Sequence, residues 1–150
     1  MFKHLFMKKV AQILSRKGNK VISVNTHTTV LETLQLMADK NIGSVAVLEN
    51  NKYVGLLTER DYARKVVLLG KSSGETPVEE IMSTGLPRIT PESSIEASMR
   101  IMSDNNIRYL PVFDNHDELC GIISILDVID EVLHSQKETI EQLHNYIQSA

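Results

Sequence analysis

The chain has one cysteine, Cys120, no tryptophan and few aromatic residues of any kind, 5% in all. A lone cysteine excludes an internal disulfide and any multi-cysteine zinc site built within one chain. Long apolar runs are missing too. Val66–Leu69 is among the longest, and it is far too short to cross a bilayer. The N-terminus lacks the apolar stretch of a secretory signal. There is no excess of positive charge: the formal net charge is −3, which speaks against a general nucleic-acid binder. Neither a Walker-type glycine loop nor a Rossmann fingerprint is present, so nucleotide hydrolysis is not expected. His4, His27, His116, His134 and His144 are scattered without metal-ligand spacing. Ser124 has no histidine that the sequence places beside it, and Cys120 falls inside a predicted strand, where packing is its expected role. The reading is a cytoplasmic protein that is not an enzyme, holds no metal and binds neither membrane nor nucleic acid.

Acidic residues are absent before Glu32, whereas Lys3, Lys8, Lys9, Arg16, Lys17 and Lys20 are all basic. Phe2, Phe6, Val10, Ile13 and Leu14 fall near helical spacing, which predicts a basic starter helix within residues 1–20. Such a helix suits a membrane surface or an organelle presequence. It equally suits packing of its apolar stripe on the domain, and this second use is the expected one.

What the chain does contain is itself, twice. Shifted by 65 residues, Val30–Leu34 meets Ile95–Met99, Met37–Ile42 meets Met102–Ile107, and Val45–Leu48 meets Leu110–Phe113. One inserted residue in the second turn moves the offset to 66, and Gly55–Asp61 (GLLTERD) then falls on Gly121–Asp127 (GIISILD). Upstream, Val10–Leu14 resembles Val78–Met82. Each copy predicts a short strand (Val21–Val24; Arg88–Thr90), then a helix (Val30–Lys40; Ile95–Asn105). Two strands follow (Ser44–Leu48 and Val54–Leu57; Tyr109–Phe113 and Cys120–Ile123), then a helix from about Glu59 or Ile125. The expected organisation is a starter helix over 1–20, a first unit over 21–70, a linker with a short helix over 71–87, a second unit over 88–133 and a helical extension over 134–150. Each unit's sheet has more apolar surface than its own helices cover, so the expectation is an α+β pair of β-α-β-β-α units related by a pseudo-twofold axis. Such a pair has two equivalent clefts.

The repeated stretch has two readings. Thr58-x-x-Asp61 and Ser124-x-x-Asp127 are capping-box patterns, which any helix start can use. A helix start also attracts phosphate, and a carboxylate one turn in can accept from the vicinal hydroxyls of a ribose. The glycine ahead of it would let a planar base approach the backbone. Capping and binding are compatible, because each oxygen has more than one lone pair.

With the duplicated unit, the paired GLLTERD and GIISILD stretches and the strand IRYLPVF, the chain resembles a tandem cystathionine-β-synthase (CBS) domain protein, or Bateman module, over nearly its whole length. The resemblance implies adenosine nucleotides (AMP, ADP or ATP) as regulatory ligands in clefts between paired units, homodimers of pairs, and a separate protein partner of unknown identity. It assigns Asp61 and Asp127 to the ribose and Thr58 and Ser124 to phosphate or sugar. The stretches Ile42-Gly43-Ser44 and Ile107-Arg108-Tyr109 would line base and phosphate, with Pro111 at one wall where the first unit has Ala46. Thr26 and His27, matched by Pro91, would close the cleft. Arg108 in one cleft and Arg60 or Arg64 in the other would meet phosphate charge; for Arg64 a solvated helix face is the competing reading. Other occupants compatible with the resemblance are NAD or NADH, S-adenosylmethionine, or none, as in an oligomerisation or docking module.

The last helix is expected from Ile125 to Ser149. Leu133, Ile140 and Ile147 lie seven apart, with Gln136 and Leu143 between them. This heptad-like seam predicts self-association, or else a tail folded back on the module.

Overall fold

Local capping chemistry sets the element boundaries, and it does so twice. In the computed structural model, which describes residues 8–18 and 20–149, helix α1 spans Val10–Lys17 and strand β1 Ser23–Asn25. Helix α2 (Val30–Lys40) begins where the Thr29 side chain accepts from the Glu32 N–H, and it ends at Asn41 in the left-handed region, φ 53°. Strands β2 (Ser44–Glu49) and β3 (Lys52–Thr58) form a hairpin, turned by Asn50 and Asn51 at positive φ. A four-residue helix α3 (Glu59–Tyr62) widens at once into a π turn over Ala63–Val67. After a 3₁₀ turn at Val78–Glu80, helix α4 (Ile95–Asn105) repeats the bounds of α2, with Ser94 as its cap and Asn106 at φ 51°. The second hairpin is β4 (Tyr109–Phe113) and β5 (Leu119–Ser124), and helix α5 (Ile125–Ser149) completes the order.

The first sheet has strand order β1-β2-β3, with β1 parallel to β2 and β2 antiparallel to β3. The second sheet is β4-β5 alone. The strand expected at Arg88–Thr90 shrinks to one parallel bridge, Ile89 to Val112. Its flanks explain this: Pro87 and Pro91 carry no N–H, so a longer ladder has no donors there. Both hairpins bulge at the same place, between Val47 and Leu48 and between Val112 and Phe113. Val45, Val47 and Leu57 face the first unit's own helices. Their neighbours Ala46 and Leu56, on the opposite face, are fully buried as well, so this sheet is covered on both sides.

The core divides into two clusters, and each borrows from the other half of the chain. Val10, Ile13 and Leu14 of α1 pack with Ile89, Ile95, Leu110 and Ile123 of the second unit. Val78 and Ile81, which precede the second unit, pack with Val30, Met37 and Val45 of the first. The backbone repeats the exchange. Val30 N donates to Thr76 O and Val78 N to Thr28 O, each at 2.9 Å; Ile95 N donates to Lys8 O at 3.1 Å and Val10 N to Ser93 O at 2.9 Å. Thus α1 packs on the domain, as expected, though on the unit farther along the chain. Phe2 and Phe6 of the predicted starter helix lie outside the described residues. Among the described residues no helix is long and apolar enough to cross a membrane.

Candidate functional site

The two units meet at a cleft of about 290 Å³. One wall is the start of α3, from Thr58 to Asp61; the facing wall is Ile107-Arg108-Tyr109, where the chain enters β4. The linker supplies the third wall with Ser83 and Leu86. Ser83 is fixed there because its backbone pairs with Leu56 of β3, N to O at 2.8 Å and O to N at 3.0 Å.

Thr58 and Asp61 form a reciprocal capping box. Asp61 N donates to Thr58 Oγ1 at 3.1 Å, and Asp61 Oδ2 accepts from Thr58 N and Thr58 Oγ1, both at 3.0 Å. The other carboxylate oxygen, Oδ1, accepts from Ser83 Oγ at 2.8 Å and pairs with Lys65 Nζ at 3.0 Å. Four donors therefore surround a side chain that is only 6% exposed. Any further donor to Oδ1 would have to replace Ser83 or Lys65. Arg60 also lines the cleft, held by a 2.7 Å bond from Nη1 to Asn106 O of the second unit.

The equivalent acid has different neighbours. Asp127 Oδ2 accepts from Ser124 N at 2.8 Å, and Ser124 Oγ accepts from Asp127 N at 3.1 Å. Lys17 of α1 then bonds both Asp127 Oδ2 and Ile122 O, each at 2.7 Å. Asp127 lines a shallower recess of about 220 Å³ with Ile13, Arg16 and Lys17. Glu131, one turn on, is turned inward. It is 1% exposed and pairs with Arg16 Nη1 at 2.7 Å and Lys8 Nζ at 3.3 Å.

The stretches Ile42–Ser44 and Ile107–Tyr109 do come together. A Cβ on Gly43 would collide with the Tyr109 hydroxyl and come within 3.1 Å of Glu59 Oε1. Gly43 O accepts from Glu59 N at 3.2 Å, as Arg108 O accepts from Ile125 N at 2.9 Å. Of the two stretches, only the second lines the 290 Å³ cleft; Ile42 packs against the first core, and Ser44 is buried opposite Thr58. Tyr109 keeps its proton, because burial and then the nearby Glu59 raise its pKa against the pull of Arg108, with Asp127 adding to the rise.

Several expected positions lie outside the lining of the 290 Å³ cleft. Pro111 is buried in the middle of β4 opposite Ile122, two residues inside the cleft mouth. Thr26 and His27 do not close the cleft. Thr26 O accepts from Glu79 N at 3.3 Å and His27 Nδ1 sits 3.7 Å from Glu79, so this turn holds the linker. Pro91 does the same for α1, accepting from Ala11 N at 2.9 Å. Arg64 is exposed on the π turn and away from the cleft lining, which Arg60 reaches instead. The motif glycines make room for protein and not for a base: a Cβ on Gly55 would meet Ser83 O at 2.8 Å, and one on Gly121 would meet Leu14 Cδ2 at 2.5 Å. Ser83 and Leu86 lie outside the repeated stretch, and Glu59 occupies one of its variable positions. Continuing the Val10/Val78 repeat by one step aligns Ser83 with Ser15, which would have pointed to the linker. Among the described residues no group of three or more His, Cys, Asp or Glu side chains is arranged to hold a metal ion.

The CBS-domain family model matches residues 10–68 and 78–134. Over 148 residues the chain is 33% identical to the CBS domain-containing protein CBSX3, mitochondrial, of Arabidopsis thaliana, covering 93% of this chain and 71% of that protein. A solved CBS-domain protein from Burkholderia ambifaria superposes with a TM-score of 0.82 at 39% identity, over 86% of this chain and 96% of that one. A hexameric CBS-CP12 protein from bloom-forming cyanobacteria, 28% identical, superposes with a TM-score of 0.70 over 81% of this chain and 69% of that one.

Proposed function

The chain belongs to the CBS-domain family as a tandem pair of the regulatory or ligand-binding kind, and from that premise we propose that it senses AMP, ADP or ATP in the cleft between its units and signals to a separate protein. The observation that carries this reading is the composition of the 290 Å³ cleft. Both units build it: Arg60 and the carboxylate–hydroxyl pair Asp61 and Thr58 come from one wall, and Arg108 from the facing wall. Leu86 and the Tyr109 ring offer apolar surface to a base. Asp61 offers the sugar an acceptor once Ser83 is displaced. Arg108 and Arg60 take the phosphate. The volume is at the small end for ligand sites, which suits a nucleoside with its phosphates at the mouth.

Because the walls belong to different units, a nucleotide shifts their relative arrangement by its differential affinity for the open and closed forms. The homodimer follows from a different feature. Helix α5 exposes an apolar seam, and at least one relative, the CBS-CP12 protein, assembles into hexamers.

Isothermal titration with AMP, ADP and ATP tests the reading. Each phosphate contact to a guanidinium contributes about 1.5–3 kcal/mol, so Arg108→Ala should weaken binding by about ten- to a hundredfold. Unchanged affinity in an Arg60→Ala/Arg108→Ala double variant sinks the assignment of this cleft. A thermal-shift series with NADH and S-adenosylmethionine separates the alternatives, since a ligand of the folded state raises Tm. S-adenosylmethionine brings one carboxylate and a sulfonium in place of phosphates, so its binding should respond less to the arginine changes than that of ATP. No shift with any of these compounds favours a ligand-free docking module.

A further inference from the structure

Strands β3 and β4 both run away from the nucleotide cleft, β3 backward from Thr58 to Lys52 and β4 forward from Tyr109 to Phe113. At their far ends, roughly 17 Å along the strands, lies a cavity of about 640 Å³ that is again lined by both units. Its lining obeys the internal repeat. Ser23 and Arg88 are equivalent positions, as are Leu48 and Phe113, and Tyr53 and Leu119, and all six line it. The cavity therefore sits on the pseudo-twofold axis. Its chemistry is not symmetric, because the two copies have diverged at every one of these pairs.

The divergence has built a polar corner on an apolar floor. The Arg88 guanidinium lies 4.1 Å above the Phe113 ring centroid and 5.9 Å from that of Tyr53, and the two rings meet edge to face at 5.2 Å. Arg88 Nη1 bonds Asp117 Oδ1 at 3.1 Å, but that carboxylate is 83% exposed, a rim partner that another anion can replace. The Tyr53 hydroxyl is buried and has no hydrogen-bond partner among the described residues. Burial pushes its pKa up to about 12, so it remains a donor at neutral pH.

We propose that this axial cavity is a second ligand site, and that its ligand is a small organic monocarboxylate with an aromatic or branched apolar body. The carboxylate takes the place of Asp117 on Arg88, while the body packs on Leu48, Leu119 and the Tyr53 ring. Lys52 and Arg88 are balanced by Asp117 and Glu118 around the cavity. This balance admits one negative charge in exchange for that of Asp117 and opposes a multiply charged phosphate. The site is separate from the nucleotide cleft, and it stands whether or not nucleotide binds.

Titration of the full chain with benzoate, followed by amide NMR, is the test, with benzamide as the uncharged probe. Saturable shifts confined to residues 48–53 and 113–119, with benzamide at least tenfold weaker, are expected. Arg88→Gln should weaken benzoate by at least tenfold. Tyr53→Phe, which keeps the ring and removes only the buried hydroxyl, should leave benzoate binding unchanged and raise the Tm of the free protein. No saturable shift with benzoate, equal binding of benzamide, or unchanged benzoate affinity in Arg88→Gln overturns the proposal. An AMP titration run in parallel reports on the other cleft alone, so failure of one reading is distinguishable from failure of the other.

Discussion

Gly55 and Gly121 occupy equivalent places in the repeated stretch, and each has a neighbour from the exchanged segment lying on it. The two neighbours differ in how far they can yield. A Cβ at Gly55 would press on Ser83 O, whose position is fixed by its 3.0 Å bond from Leu56 N, and would also come 2.9 Å from Met82 Sδ. At Gly121 the obstacle is the end of the Leu14 side chain, which can rotate. Gly55→Ala should therefore cost about 1–3 kcal/mol and Gly121→Ala less, measured as urea midpoints at constant m. Equal costs would show that the linker backbone gives way. Tyr53 makes a residue-scale prediction about pH. Burial raises its folded pKa to about 12, above the ordinary tyrosine value of 10.0, so the folded state holds this proton more tightly. The contribution to stability is complete below pH 10.0 and is lost as pH rises towards 12. Unfolding curves across that alkaline window should fall less steeply for Tyr53→Phe than for the wild type. Parallel curves would mean that the hydroxyl titrates alike in both states.

Helices show how much the sequence made legible. Thr29, Ser94, Asn41 and Asn106 could be read as equivalent boundaries because capping needs only neighbours in sequence. The Thr58–Asp61 box was readable for the same reason, but its saturation was not, since Ser83 is 22 residues away and joins only through the linker's pairing with β3. Similarity between Val10–Leu14 and Val78–Met82 shows that the two segments do the same job. It says nothing of which unit each one serves, and the exchange became visible only in the packing. The same limit applies to Glu131, whose charge after Asp127 looks like a feature of the ligand side until its partners are seen. It is the buried anchor of α1, with Arg16 and Lys8 around it and Ser135 close to solvent exclusion one turn on. Removing one partner of a buried ion group costs about 3–5 kcal/mol. Because Arg16 is 44% exposed and Lys8 keeps Glu138 at 3.5 Å, Glu131→Gln should lose less than that, about 1–3 kcal/mol, and loosen α1, so that trypsin cuts after Arg16 or Lys17 faster than in the wild type. Slow cleavage with full stability would mean that the apolar contacts of Val10, Ile13 and Leu14 hold the helix alone.

At the scale of the whole molecule, the seam on α5 is a long row of exposed apolar side chains among the described residues. Leu126, Ile129, Leu133, Ile140, Leu143 and Ile147 follow one another at alternating steps of three and four, with Gln136 filling the place between Leu133 and Ile140. All six apolar side chains are 45–71% exposed. The alternative of a tail folded back on the module is not what α5 does, since it continues as one helix from Ile125 to Ser149. Val67, which the repeat places opposite Leu133, is 54% exposed as well, and Leu68 beside it 76%. Both units therefore present apolar side chains on the helix that ends them. A three-four repeat, broken only at Gln136, is a pattern by which helices of two copies pack, so a homodimer with twofold symmetry is the expected assembly. The polar Gln136 then fixes the register, at some cost in stability. Placing charges in the seam tests this directly. Ile140→Glu combined with Leu143→Glu leaves the CBS core untouched, because neither side chain is buried in it. Light scattering should report a homodimer for the wild type and a monomer for the double variant, with the AMP affinity of the cleft retained. A wild type that scatters as a monomer, or a double variant that remains a dimer, removes α5 from the interface and leaves Val67 and Leu68 as the surface to examine next.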